Sequence, residues 1–405
     1  MYKLKCISCE TYYDPDEILY TCPKCGDRLG TLEIVYDYDN IVIKKSELDP
    51  YDSIFQFKKI LPISNSAYQT YLHVGGTPLY SFKGLLGIKE VFVKYDGTNP
   101  TGSYKDRATA IAISKAYEFG FKNIYCASTG NAASSLAGLT APTDLETFIF
   151  VPASAPIAKI TQLYVYGANV IQIDGSYDEA FDISMKIGQK KRWYSRNSAI
   201  NPYLLEGKKT GALEVAVQTD FEVPDTIFVG VGDGTVISSL YKGFYDFMQI
   251  GLIDKIPKII GVQAQGADAI ARVFEKGEPF TPEDIEAKTI ADSISVGKPR
   301  DVIKACKYVQ KSGGTFLRVS DEEILNAIVE LAEETGVFGE PAGASAYAGL
   351  KKALSLGLIS RDERVCVFVT GNGLKDVRSI ESLVRLEKIP PKIETVLQYI
   401  DTLKQ

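Results

Sequence analysis

Short apolar or β-branched runs alternate with helical stretches through most of the chain. Val91–Val93, Ile124–Cys126, Thr147–Val151 and Val170–Ile173 read as strands, as do Thr226–Val229, Ile259–Val262, Thr315–Val319 and Val365–Val369. Between them lie helical segments such as Asp178–Lys190 and Glu322–Thr335. This alternation predicts parallel sheets covered by helices on both faces, a three-layer α/β architecture in which ligands gather at the carboxyl ends of the strands. Leu32–Tyr38 reads as a strand ahead of that rhythm, and Ile393–Leu403 as a last helix beyond Pro390-Pro391.

Composition narrows the function. With 405 residues, 45% hydrophobic and 24% charged, the chain has the make-up of a globular protein of two or three domains. No apolar stretch approaches the roughly 20 residues of a membrane span and no apolar leader opens the chain, so the expectation is a cytoplasmic protein without a membrane partner. A net charge of −6 argues against an extended nucleic-acid surface, and Asp14, Asp16 and Glu17 make the N-terminal segment a poor phosphate binder. A small substrate is expected instead. His73 is the only histidine, which excludes histidine-based triads and multi-histidine metal sites.

Four of the seven cysteines form two CxxC pairs, Cys6 with Cys9 and Cys22 with Cys25, separated by twelve residues. Two such knuckles supply four thiolates for a closed, structural Zn2+ site, a zinc ribbon over residues 1–38. Two disulfides would use the same spacing, but a chain without a secretory signal resides where thiols stay reduced. Cys126, Cys306 and Cys366 sit in apolar surroundings and read as buried small hydrophobes.

The run Asn99-Pro100-Thr101-Gly102-Ser103-Tyr104-Lys105-Asp106-Arg107 sets a lysine one turn into a helix, directly after a turn. Ser103 and Asp106 have the spacing of a capping box. A lysine in the first helical turn meets the positive end of the helix dipole, which favours the neutral amine that Schiff-base chemistry requires. The same spacing suits a solvated lysine beside a cap. Three loops that follow strands carry further chemistry: Ser128-Thr129-Gly130-Asn131, Gly230-Val231-Gly232-Asp233-Gly234-Thr235 and Thr370-Gly371-Asn372-Gly373. The first has groups that could hold a carboxylate at a helix N-terminus, the second backbone N–H groups for a phosphate, and the third a hydroxyl with glycines beside it. Each, taken alone, would also serve as a plain turn. The second lacks the dinucleotide G-x-G-x-x-G spacing, and Gly207-Lys208-Lys209-Thr210 lacks the first glycine of a P-loop.

In this order the segments resemble the fold-type II pyridoxal-phosphate enzymes, and among them the threonine synthase family. The resemblance spans nearly the whole chain and rests most on the Asn99–Arg107 run and on Thr370-Gly371-Asn372-Gly373-Leu374-Lys375-Asp376. It also takes in Gly75-Gly76-Thr77-Pro78, Asn201-Pro202-Tyr203, Glu206–Thr210 and Glu340-Pro341-Ala342. It implies pyridoxal 5'-phosphate joined to Lys105, with Asn131 at the cofactor's 3-oxygen. Gly232, Asp233, Gly234 and Thr235 would then surround its phosphate, and Thr370 would face its ring nitrogen. Ser128, Thr129 and Asn131 would clamp the substrate carboxylate. The implied reaction converts O-phospho-L-homoserine and water to L-threonine and phosphate, in a homodimer. Ala132 and Leu204 stand where many threonine synthases have a hydroxyl residue and an arginine for the substrate phosphate. Either Asn197, Ser198, Lys298 or Arg300 replaces those contacts, or the enzyme is a related lyase or β-replacement enzyme for a smaller amino acid. Asp233 in the phosphate loop requires its carboxylate to turn away. The implied domains are the ribbon at 1–38, a large α/β domain at 39–92 and 197–405, and a small α/β domain at 93–196.

Overall fold

The apolar runs assemble into two separate parallel sheets, as the alternation predicts. A computed structural model describes residues 2–384 and 386–403, with Ser382 described by its backbone alone. The larger sheet contains β4 (Leu79–Phe82), β5 (Glu90–Tyr95), β10 (Thr226–Gly230), β11 (Lys258–Ala264), β12 (Thr315–Val319) and β13 (Arg364–Val369). Its order is β12-β11-β10-β13-β5-β4, with β4 antiparallel on the edge. The smaller sheet has β6 (Asn123–Ala127), β7 (Glu146–Pro152), β8 (Asn169–Ile173) and β9 (Tyr194–Ser195), all parallel, in the order β8-β7-β6-β9. β5 pairs with β13 along its whole length to Tyr95.

The N-terminal segment is a three-stranded antiparallel sheet of β1 (Tyr2–Cys6), β2 (Tyr12–Tyr13) and β3 (Leu32–Tyr36), with the short α1 (Gly26–Leu29) before β3. β3 ends two residues before the expected Tyr38, which opens a 3-10 turn. This sheet is tied to the rest of the chain by side chains: the Tyr36 phenol donates to Glu206, and Lys304 and Lys307 donate to the carbonyls of Leu32 and Ile7. The Tyr20 phenol accepts the backbone N–H of Ser195 at 2.7 Å.

Helices α2 (Lys105–Glu118), α3 (Asn131–Thr140), α4 (Ile157–Val165) and α5 (Tyr177–Lys191) precede the end of the smaller sheet. After it come α6 (Tyr203–Gln218), α7 (Thr235–Gln249), α8 (Ala269–Lys276), α9 (Val302–Lys311), α10 (Asp321–Thr335), α11 (Pro341–Ser355) and α12 (Ile393–Thr402). Capping boxes open α5 (Ser176, Glu179) and α10 (Ser320, Glu323), and a left-handed Gly336 closes α10. Helix α6 is buried from Tyr203 to Val217 although it carries Glu206, Lys208, Lys209 and Glu214. Gly207 lets it lie backbone to backbone on α2, since a Cβ there would stand 2.2 Å from the Arg107 carbonyl oxygen. The buried charges are mostly paired, as burial demands. Glu214 meets Lys94 at 2.7 Å and Arg107 at 2.5 Å, and Arg107 also meets Asp96 at 2.6 Å. This network joins β5, α2 and α6 behind the site.

Candidate active site

Lys105 is the first residue of α2. The turn before it is held on both sides. The Asn99 carboxamide accepts the Gly75 N–H and donates to Asp96, Gly102 adopts φ +82°, and the Tyr104 N–H donates to the Thr370 carbonyl at 2.8 Å. The expected capping box is absent: α2 has no side-chain cap, and the Ser103 hydroxyl is buried without a partner. Asp106 turns back instead to accept the N–H and hydroxyl of Thr101, fixing the turn rather than the helix end. Among the described residues, Nζ of Lys105 makes no hydrogen bond. Burial lowers its pKa most, the Arg196 guanidinium lowers it further, and Glu340 and Asp233 oppose. Desolvation thus acts in the direction expected of the helix dipole, toward the neutral amine.

A cavity of about 460 Å³ opens between the carboxyl ends of the two sheets. Its lining includes Lys105, Ser128, Thr129, Asn131, Asn197, Ser198, Gly232, Asp233, Gly234, Thr235 and Thr370, so the residues singled out from five distant segments converge. Lys298 and Arg300 also reach it. Leu204 does not, and is packed in the core instead.

Each loop keeps part of its polar capacity for neighbours. Asn131, at the start of α3, donates its amide to both oxygens of Glu340 at 2.9 Å. The Asn197 carboxamide accepts the Ala127 N–H at 2.9 Å and therefore fixes the end of β6. In the glycine loop Gly234 has φ +92°, and a Cβ on Gly232 would stand 2.9 Å from the Ile294 Cα, so the backbone there is bare of side chains at a helix N-terminus. The Asp233 carboxylate accepts the Arg300 N–H at 2.8 Å, and burial pushes its pKa up to about 6. Arg300 itself stacks 4.0 Å over the Phe181 ring. Thr370 follows β13 across from α2, with its hydroxyl unclaimed by any described residue.

Three lining or adjoining residues were given no site role from the sequence, although Glu340 and Lys208 lie in segments that carry the resemblance. Glu340 caps α11 beside Lys105, and burial raises its pKa. Arg196 donates to the Thr109 hydroxyl and the Lys105 carbonyl, while its Nη1 is buried without a partner. Lys208 donates to Thr235 at 2.6 Å and Ser198 at 3.3 Å. Burial as such was unreadable, though Lys208 and Lys209 inside an otherwise apolar segment were a trace of it.

The four N-terminal cysteines come together away from the cavity, their Sγ atoms all within 4.8 Å of one another. Cys9 and Cys22 are 3.7 Å apart, close to the edge of about 3.8 Å of a tetrahedron with 2.3 Å metal–sulfur bonds. Cys126, Cys306 and Cys366 are buried, each thiol pushed up to about 12 by burial.

The family profile for pyridoxal-phosphate dependent enzymes matches residues 70–371. The chain belongs to that family. Within it, the chain is 40% identical to threonine synthase of Methanosarcina acetivorans, over 94% of each chain. It is 42% identical to threonine synthase of Methanocaldococcus jannaschii, over 96% of each. It therefore belongs to the threonine synthase family of these enzymes, and is a pyridoxal-phosphate dependent lyase. Solved structures share the fold: a processed threonine deaminase isoform 2 of Solanum lycopersicum has TM-score 0.65 at 21% identity, covering 85% of this chain and 99% of that one. A fungal L-serine ammonia-lyase of Rhizomucor miehei has TM-score 0.66 at 19% identity, covering 76% and 96%. The site suits the family's cofactor: an unpaired, half-buried lysine for the aldehyde, a glycine-lined helix N-terminus for the phosphate, and a threonine hydroxyl unclaimed by any described residue for the ring nitrogen.

Proposed function

We propose that this enzyme converts O-phospho-L-homoserine and water to L-threonine and phosphate. The observation that carries the reading is the convergence of Lys105, the Ser128–Asn131 loop, the Gly232–Thr235 loop and Thr370 on one cavity. Lys105 would hold the cofactor aldehyde, Asn131 its 3-oxygen, Gly232–Thr235 its phosphate and Thr370 its ring nitrogen. When bound, the cofactor supplies an electron sink for carbanion chemistry. Ser128 and Thr129, before the α3 N-terminus, orient the substrate carboxylate. Nζ of Lys105 takes and returns protons, and its depressed pKa keeps a lone pair available. A substrate panel tests the reading: phosphate and threonine from phosphohomoserine support it, whereas ketoacid from threonine or serine with no phosphohomoserine turnover replaces it with an ammonia-lyase.

With Leu204 in the core, the leaving phosphate needs another cation. Arg196 is suited to this: it lines the cavity, has no carboxylate partner among the described residues and keeps Nη1 free. Arg196→Leu is expected to raise KM for phosphohomoserine about 10- to 100-fold, as loss of a charge-assisted hydrogen bond would. An unchanged KM in steady-state assays would return the role to Asn197, Ser198, Lys298 or Arg300.

The cysteine cluster is read as a structural Zn2+ site and residues 1–38 as a zinc ribbon. The remaining division is a large domain at 39–92 and 197–405 around a small one at 93–196, with the first crossing best taken after β5. A homodimer is proposed, supported by the exposed apolar side chains Ile393, Leu397 and Leu403 at the C-terminal helix. A cytoplasmic setting agrees with the free thiols, and no described helix is long and apolar enough to cross a membrane. Chelation of the metal, or Cys22→Ser, is expected to lower Tm by several degrees in calorimetry, because metal binding and folding of such a unit are linked.

A further inference from the structure

Among the described residues, eight basic side chains are buried. Six face a carboxylate: Lys94 and Arg107 share Glu214, Lys209 and Lys242 share Asp246, Lys115 meets Glu118, and Lys304 meets Asp301. Two do not, and both adjoin the active-site cavity. Arg196 has been assigned the substrate phosphate above. Lys208 remains.

Its surroundings point to one anion. Nζ donates to Thr235 Oγ1 at 2.6 Å and to Ser198 Oγ at 3.3 Å, both on residues lining the cavity. Thr235 opens α7 and closes the glycine loop. Because its oxygen accepts from Lys208, its own hydroxyl proton is directed elsewhere, and no described residue claims it. The loop itself has no space for a cation: a Cβ on Gly232 would press on Ile294, and one on Gly234 would lie 2.9 Å from the Asp301 carbonyl oxygen. Lys208, through Thr235, brings positive charge toward an anion here from beneath the loop. In the absence of an anion, burial and the nearby Lys105 hold the Lys208 amine toward its neutral form. A bound dianion reverses that balance.

We propose that Lys208 is the counter-cation of the cofactor phosphate, acting on it beside and through the Thr235 hydroxyl. The inference rests on assigning the Gly232–Thr235 loop to that phosphate, and goes beyond it by giving the loop its charge. Charged hydrogen bonds of this kind are stronger than neutral ones, and a donor polarised by an ammonium gains in turn.

The test uses the full chain freed of cofactor and titrated, by absorbance or tyrosine fluorescence, with pyridoxal 5'-phosphate and separately with pyridoxal, which has no phosphate. In Lys208→Met the Kd for pyridoxal 5'-phosphate is expected to rise about 10- to 100-fold while that for pyridoxal stays within about twofold. Lys208→Gln, which keeps a donor to Thr235 but no charge, guards against a folding defect and should show the same selective loss. Equal losses for both aldehydes, or no loss for either, overturn the proposal. Wild-type protein that binds neither aldehyde would instead overturn the functional reading beneath it.

Discussion

Lys105→Ala is expected to lower kcat by about 10³-fold or more, because on the proposed reading a single nitrogen is both the attachment point and the proton carrier. The substitution should leave the fold intact. Nζ of Lys105 makes no hydrogen bond to a described residue, and alanine is the best helix former at the start of α2. Unchanged circular dichroism and melting together with lost phosphate release is the predicted pair of results. Turnover within tenfold of wild type would remove Lys105 from the chemistry.

The second large effect concerns stability. Glu214→Ala leaves Lys94 without its carboxylate and Arg107 with Asp96 alone, all three side chains being fully buried. Breaking such a network costs about 3–5 kcal/mol, read as a lowered urea midpoint. The same carboxylate makes a pH prediction. Its two cations hold its folded-state pKa down to about 2 against an ordinary value of 4.5, although burial alone would raise it. A depressed acid contributes stability that is complete above 4.5 and is lost as pH falls through about 2, so acid unfolding in that window should be shallower in Glu214→Ala than in wild type. By contrast, the exposed Lys59–Glu47 pair should be silent when Glu47 is removed.

Much of this could be read along the chain. Strands such as Val365–Val369 declare themselves by composition, and loops such as Ser128–Asn131 by the residues a turn requires. The cysteine knuckles are legible because a fixed spacing encloses a fixed geometry. What escaped was relational. Ser103 and Asp106 have capping-box spacing, yet Asp106 bonds Thr101 because the preceding turn needs its carboxylate more than α2 does. Lys208 and Lys209 are neighbours of one residue type with opposite fates: a step of 100° around α6 sends Lys209 to Glu206 and Asp246 and sends Lys208 to Thr235. Arg196 stands out because no described carboxylate pairs with it, and a missing partner leaves no mark in a linear string. Asp233 looked misplaced in an anion loop until the Arg300 N–H supplied its partner from 67 residues away.

The contact between Tyr20 and Ser195 has a consequence beyond attachment. β9 is one of the two edge strands of the smaller sheet, and its outward Ser195 amide is occupied by a phenol from the N-terminal segment. Were that segment to melt, a bare strand margin would be offered to other molecules as a template for sheet extension. Destabilising the cysteine-rich segment should therefore be seen first in light scattering of concentrated enzyme.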